Sequence, residues 1–256
     1  MARRLGRRKE PLREDFMLKE QLKIEEGVFD RRTIMAIGKV FTRNVVSRMR
    51  FIIARGKEAD VYLADAGDKV GADFVVLKIF RLETSSFKAR IDYITGDRRF
   101  QRRISTDMQL ISTWCRKEFG NLRLAHNAKV HSPAPYTFEN NVLAMEFIGN
   151  GDAPAPRLKE TVVDNPSGVL DTVLKDIGKL YSAGLVHGDV SEYNILMSNG
   201  TPFMIDFGQA ITADHPKAQA FLERDVGNIL AYFRKRYGVE RDVGKIVNEI
   251  KSMAEE

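Results

Sequence analysis

The chain is poor in cysteine. Cys115 is the single one in 256 residues, so no internal disulfide can form, and that usage suits a reducing compartment. Also missing is any run approaching the ~18 uninterrupted apolar residues that a membrane-spanning helix needs. The N-terminus is basic but lacks the apolar stretch of a secretory signal. These absences lead to the expectation of a soluble, cytoplasmic protein with no membrane partner. Internal repeats and low-complexity tracts are absent too, beyond the basic opening. With 43% apolar residues, the chain can bury a core as one domain or two small lobes.

The formal charge of +6 is unevenly spread. Residues 1–50 hold 14 Lys/Arg against 7 Asp/Glu, and the remaining 206 residues hold 27 against 28. The excess begins with Arg3, Arg4, Arg7, Arg8 and Lys9. Such an arm suits a polyanion, nucleic acid first, while the plainer reading is a solvated tail.

Residues 12–26 read as a weak helix. Residues 31–50 read as a clearer one, with Ile34, Ile37, Val40 and Phe41 at helical spacing. Short β-rich runs follow around 51–54, 60–64 and 74–80. Residues 81–106 are polar and weakly periodic, which suggests a mobile insertion. Ser105 and Thr106 offer N-caps for a helix over 107–127. Two strands are expected around Asn140-Asn141, then a proline-broken linker at 149–157, a helix over 168–183 stopped by Gly184, and a last helix over 217–237. The pattern is an α+β chain of two lobes, strand-rich first and helix-rich second.

Two charges stand where apolar residues belong. In "FVVLKIF" Lys78 shares a strand face with Phe74, Val76 and Phe80. On the helix over 107–127, Glu118 falls on the stripe of Ile111, Trp114, Cys115, Leu122 and Ala125. A lone buried carboxylate would cost several kcal/mol unless paired, so each charge suggests the other as partner. The alternative has Lys78 reaching solvent past its stem and Glu118 at the wet edge of the stripe.

A second concentration of polar groups lies in "LVHGDVSEYNILMSNGTPFMIDFGQA". Asn199-Gly200 is a two-residue hairpin signal. Pairing about it sets Asn194 opposite Ile205 and beside Asp206, with Asp189 in the loop that feeds the hairpin. An amide oxygen next to a carboxylate suits Mg²⁺ held partly by nucleotide phosphates. A second carboxylate nearby can accept a proton, and phosphoryl transfer needs those parts together with a positioning Lys. The plainer reading is a polar-ended hairpin.

These residues resemble the protein-kinase fold, with "HGDVSEYN" and "DFG" as its two signatures. The resemblance implies a bilobal α+β kinase-like fold. Residues 1–50 would be a basic extension with extra N-terminal helices, 51–148 a β-rich N-lobe with a flexible loop at 81–106, and 149–256 the hinge and a trimmed α-rich C-lobe. It further implies Asp189 as the catalytic Asp, Asn194 and Asp206 as metal ligands, Lys78 on the α/β-phosphates, and Glu118 as its ion-pair partner. "AMEFIG" looks like the hinge, with backbone of Glu146 and Ile148 on adenine and Met145 behind it. Asp225 resembles the buried helical Asp that holds the catalytic loop.

There is no G-x-G-x-x-G loop, only Gly56 in "ARGKEADVY", and no APE-like segment follows Asp206. With "TSSFKARIDYITGDRRF", "KEFGNL" and "DHPKA…FLERDVGNI", these departures are similar to the RIO family of atypical kinases, in its first subfamily. That resemblance implies Gly56, Lys57 and Glu58 as triphosphate contacts, ATP with Mg²⁺ (or Mn²⁺), and largely ATPase behaviour. It also implies a phospho-aspartate at Asp206 and a role in small-ribosomal-subunit maturation, with rRNA or protein met through the basic N-terminal region. Arg55 and Phe207 depart from the family's usual residues. The competing readings are a small-molecule or tRNA-modification-complex kinase, and an RNA-binding assembly factor that uses ATP as a timer.

Overall fold

The computed structural model describes residues 29–81, 93, 94, 96–100 and 104–254. The basic arm, the helix expected over 12–26 and residues 82–92 of the expected insertion lie outside the described residues.

Asp30 opens helix α1 (Arg31–Thr42) by accepting the N–H groups of Arg32 and Thr33, a cap worth about 1 kcal/mol. The helix expected to reach residue 50 stops at Thr42. Asn44 adopts a φ of 55° and breaks the helical path. The β-branched Val45 and Val46 that follow favour extended backbone, and strand β1 (Val46–Arg55) begins there. The buried face of α1 is Thr33, Ala36, Ile37 and Val40, whereas Ile34 of the expected stripe is 37% exposed.

Strands β2 (Ala59–Ala66), β3 (Phe74–Phe80), β4 (Pro135–Glu139) and β5 (Val142–Glu146) complete an antiparallel sheet in the order β1-β2-β3-β5-β4. The central strand β3 is covered on both faces. Val75, Leu77 and Ile79 point into an apolar cluster with Ile37 and Val40 of α1. The alternating positions, Lys78 and Phe80 among them, therefore point to the opposite face. Helix α1 is tied to the sheet by Arg43 and Lys39 on Glu139, and by the Asn141 amide, which donates to Thr33 Oγ1 and Phe80 O.

The second face of the sheet meets helix α2 (Asp107–Asn127), capped by Thr106 as its sequence suggests. After β5, Gly149–Asn150 (β6) pairs with Ala153–Pro154 (β7), a small ladder where unpaired linker was expected. Pro154 is tolerated there because a two-residue ladder asks little of its missing N–H. Helix α3 (Pro166–Ser182) ends before Gly184, at φ +78°. Strand β8 (Leu185–Val186) pairs with β11 (Ile211–Thr212). Between them the hairpin of β9 (Ile195–Ser198) and β10 (Thr201–Met204) turns at Asn199-Gly200, with φ values of 49° and 76°.

Helix α4 (Ala218–Tyr237) is followed by α5 (Val243–Ser252), which the sequence reading did not anticipate. Asp242 caps α5, and Val247 and Ile250 bury its inner face. One apolar cluster runs from Phe80 and Leu143 of the sheet through α2 to Leu170, Ile211, Val226 and Ile250. Among the described residues no helix is long and apolar enough to cross a membrane.

The hairpin turn gives a local test. Gly200→Ala forces an L side chain into positive φ and should cost about 1 kcal/mol in urea denaturation. The same change at Gly120, inside α2 with open space around its Cβ position, should be neutral or stabilising.

Candidate active site

Burial draws the first part of the site together. Lys78, on the central strand, is 8% exposed, and Glu118, on α2, is fully buried. The Lys78 Nζ donates to both oxygens of Glu118, at 2.7 and 3.0 Å, and to Oδ1 of Asp206 at 3.0 Å. Reaching solvent past its stem is therefore not what Lys78 does. Burial alone would lower the Lys78 pKa, but the charges of Asp206 and Glu118 outweigh it and raise it. Glu118 is pushed up to about 7 by burial, against the pull of Lys78. Asp206 also loses solvation, yet the Lys78 ammonium holds its carboxyl below the ordinary range. The Asp206 side chain is half exposed, so it is the member of the trio that meets solvent.

The hairpin supplies the second part. The Ile205 N–H donates to Asn194 O at 2.9 Å, the register expected from the Asn-Gly turn. Asp206 then leaves the strand in the left-handed region, at φ 66° and ψ 65°, and a 3-10 turn over Phe207–Gln209 follows. The Asn194 amide nitrogen donates to the backbone and carboxylate of Asp189, both at 2.9 Å, which leaves its amide oxygen for a cation. Gln209 reaches the same Asp189 oxygen at 3.4 Å. Burial first, then the nearby charge of Asp206, raise the Asp189 pKa, a direction that suits a proton acceptor.

The backbone on either side of Asp189 is held from behind. Asp225 of α4 accepts the Gly188 N–H at 2.7 Å and the Val190 N–H at 3.0 Å. Its own pKa rises to about 7 through burial. Arg224 donates to the Gly188 carbonyl. His187 Nε2 meets Ile205 O at 3.2 Å and its ring lies 4.6 Å from Phe207. Burial lowers the His187 pKa to about 4, so the ring is neutral and donates from Nε2. Phe207, a departure noted in the sequence, is fully buried core.

The remaining expected residues have fewer ties to this group. Gly56, Lys57 and Glu58 form the β1–β2 turn, closed by the Gly56 N–H on Ala59 O at 2.9 Å. The charge of Glu58 is felt at Glu118 and Asp189, while Lys57 and Arg55 are exposed. Met145 packs against the main core. The Glu146 N–H donates to Ala134 O, and Ile148 O accepts the Ala155 N–H. Those two backbone groups are thus engaged within the protein.

Residues the sequence reading missed surround the Asp206 turn. Lys117 donates to the carbonyls of Gly208, at 2.8 Å, and Ala210. Asn121 donates to those of Phe207 and Ala210, at 2.8 and 3.1 Å. Both are fully buried. A polar residue on the stripe that exposed Glu118 was the available signal: Lys117 is three and Asn121 seven positions after Trp114.

Among the described residues no group of three or more His, Cys, Asp or Glu gathers to hold a metal alone. A carboxylate and an amide oxygen fit a hard cation that keeps water and substrate oxygens for its other positions, as Mg²⁺ does.

The RIO domain pattern matches residues 60–246. The RIO-type serine/threonine-protein kinase Rio1 of Haloferax volcanii is 40% identical, over 94% of this chain and 83% of that protein. The protein of the same description from Methanocaldococcus jannaschii is 37% identical, over 89% and 77%. Among solved structures, the Rio2 kinase-ADP/Mg²⁺-phosphoaspartate complex from Chaetomium thermophilum superposes with a TM-score of 0.69, over 94% of this chain and 76% of that one, at 24% identity. That likeness establishes the kinase-like fold.

Two expected outcomes follow from the geometry. Glu118→Ala should destabilise the protein by about 3 kcal/mol in urea denaturation, because it strips a buried ammonium of its main partner. The double change Lys78→Met with Glu118→Leu should recover most of that loss. For His187, the folded pKa of about 4 lies below the ordinary 6.5. Its contribution is complete above pH 6.5 and is lost as pH falls toward 4, about 3 kcal/mol in all. Glu118 and Asp225, raised in the fold, act in the opposite sense over the acidic range. The thermal midpoint of His187→Asn should therefore fall less steeply between pH 6.5 and 4 than that of wild type.

Proposed function

This chain belongs to the RIO family of serine/threonine kinases, and on that premise we propose that it is a member of the first subfamily, uses Mg·ATP and acts mainly as an ATPase in small-ribosomal-subunit maturation. As a kinase it transfers a phosphoryl group, and the observation that carries the assignment is Lys78 bridging Glu118 and Asp206 beside Asp189 and Asn194. The relatives described as Rio1 support the subfamily. The ribosomal role rests on the sequence resemblance and on the basic charge of residues 1–50, which suits rRNA or an acidic protein surface.

In this reading the base of ATP lies against Met145. It meets the Glu146 carbonyl and the Ile148 N–H, since the other two hydrogen-bonding groups of those residues are engaged within the protein. The turn of Gly56, Lys57 and Glu58 covers the phosphates, and Lys78, held by Glu118, contacts the α/β-phosphates. Asn194 and Asp206 would hold Mg²⁺ (or Mn²⁺), which neutralises developing charge on the transferred phosphoryl. Asp189, fixed through one oxygen by Asn194 and Gln209, turns its other oxygen to the acceptor and takes the proton of a hydroxyl or water.

For ATP hydrolysis we assign a phospho-aspartate step. A carboxylate oxygen of Asp206 attacks the γ-phosphorus, ADP leaves with the bridging oxygen, and water then cleaves the acyl phosphate to return phosphate and the free carboxylate. The half-exposed carboxylate beside Lys78 supports this, as does the phosphoaspartate complex of the Rio2 neighbour.

Turnover of Mg·ATP, with and without small-subunit particles, tests the reading in wild type, Asp189→Ala and Asp206→Asn. Asp206→Asn should abolish turnover and any acid-labile phosphoprotein. Wild-type rates in both variants would refute the catalytic assignment. Strong acceleration by a low-molecular-weight hydroxyl compound would favour a small-molecule kinase instead.

A further inference from the structure

Helix α2 is linked to Asp206 twice, through adjacent residues. Glu118 holds Lys78, and Lys78 holds the Asp206 carboxylate. Lys117, the residue before it, holds the backbone that follows Asp206, at the carbonyls of Gly208 and Ala210. Asn121, one helical turn on, adds Phe207 and Ala210. Three carbonyls of a five-residue stretch that starts in the left-handed region are thus taken by two fully buried side chains. A non-glycine residue in that region persists when its surroundings over-determine it. These contacts supply that constraint.

Asn121 is itself fixed. Its amide oxygen accepts Arg99 Nη2 at 2.8 Å, and Arg99 is clamped by the buried Asp97, with Nε on Oδ1 at 2.9 Å and Nη2 on Oδ2 at 2.6 Å. With its oxygen on Arg99, the Asn121 amide can present only its NH₂ group to the turn. The orientation is therefore set from the Asp97–Arg99 side. The same segment seats tightly nearby: Gly96 lies against His215, where a Cβ would come within 1.9 Å of the ring. The Trp114 indole packs closely on Gly208, where an added Cβ would meet Nε1 at 2.9 Å.

We propose that Lys117, Asn121 and Arg99 form a positioning relay that locks the Asp206 turn to helix α2, so that carboxylate and backbone keep one register with Lys78. None of the three touches the cleft groups directly. The relay rests on the reading of Asp206 as a metal ligand. Its role is to present that carboxylate already oriented, as residues behind a metal ligand commonly do.

The test compares Asn121→Leu, Asn121→Asp, Lys117→Met and the paired change Asp97→Asn with Arg99→Gln. Asn121→Asp keeps the acceptor for Arg99 but removes the donor to the turn. The paired change keeps hydrogen-bonding groups on both sides and guards against a variant that fails to fold. Two readouts are used: hydrogen exchange of the 206–211 amides without metal or nucleotide, and ADP binding titrated with and without Mg²⁺. Faster exchange confined to that turn is expected. Half-saturating Mg²⁺ should rise about tenfold or more, with metal-free ADP affinity unchanged within about twofold.

Unchanged exchange and Mg²⁺ dependence in the folded variants would overturn the relay. So would an equal loss of metal-free and Mg²⁺-supported binding, which marks general loosening of the core. Asp206→Asn serves as the reference. If it leaves the Mg²⁺ dependence intact, the metal-ligand reading fails. If it removes that dependence while the other variants behave as wild type, only the relay fails.

Discussion

The structure depends on one buried ammonium. Lys78 sits on the central strand of a sheet covered on both faces, and its charge is kept only because Glu118 and Asp206 reach it from two other elements. A buried ion pair is a poor source of stability, because desolvation cancels much of the attraction. Its value is geometric. Strand β3, helix α2 and the turn after β10 must be in register for the charge to be satisfied, so the site is assembled by the requirement that Lys78 not be left alone.

Helix α1 makes that requirement strict. It closes the outer face of the sheet, with Ile37 and Val40 against Val75, Leu77 and Ile79. With that face sealed, the side chains that alternate with them have only the cleft side. The loop that carries Asp189 is fixed by comparable means from the helical half, where Asp225 and Arg224 take the backbone groups of Gly188. Lys78 and the loop of Asp189 are thus both held by supports rooted in packed helices.

The site was legible in the sequence wherever periodicity forced a polar residue into an apolar position. Lys78 and Glu118 were exposed that way, and Asn199-Gly200 fixed the register that brings Asn194 beside Asp206. The same logic reached Glu118 but passed over Lys117 and Asn121. Their place on the stripe marks them as buried, but their partners are backbone carbonyls, which no sequence pattern identifies. Helix α1 ends earlier than its spacing suggests because Asn44, a residue type that tolerates the left-handed region, takes a φ of 55° there. Helix α5 was overlooked because its ten residues bury only Val247 and Ile250 deeply, too sparse a stripe to stand out.

One apolar cluster joins Phe80 and Leu143 of the sheet to Leu170, Val226 and Ile250 of the helical half. The stretch after Glu146 is therefore a crossing point of the chain and not a boundary between folding units. The first half has one apolar cluster of its own, between α1 and the sheet, but the cluster on the other face is shared with the helical half. A cut after Glu146 would leave each half with a wet apolar face. Loss of structure on heating or in denaturant should then be a single cooperative event, with sheet and helices melting together.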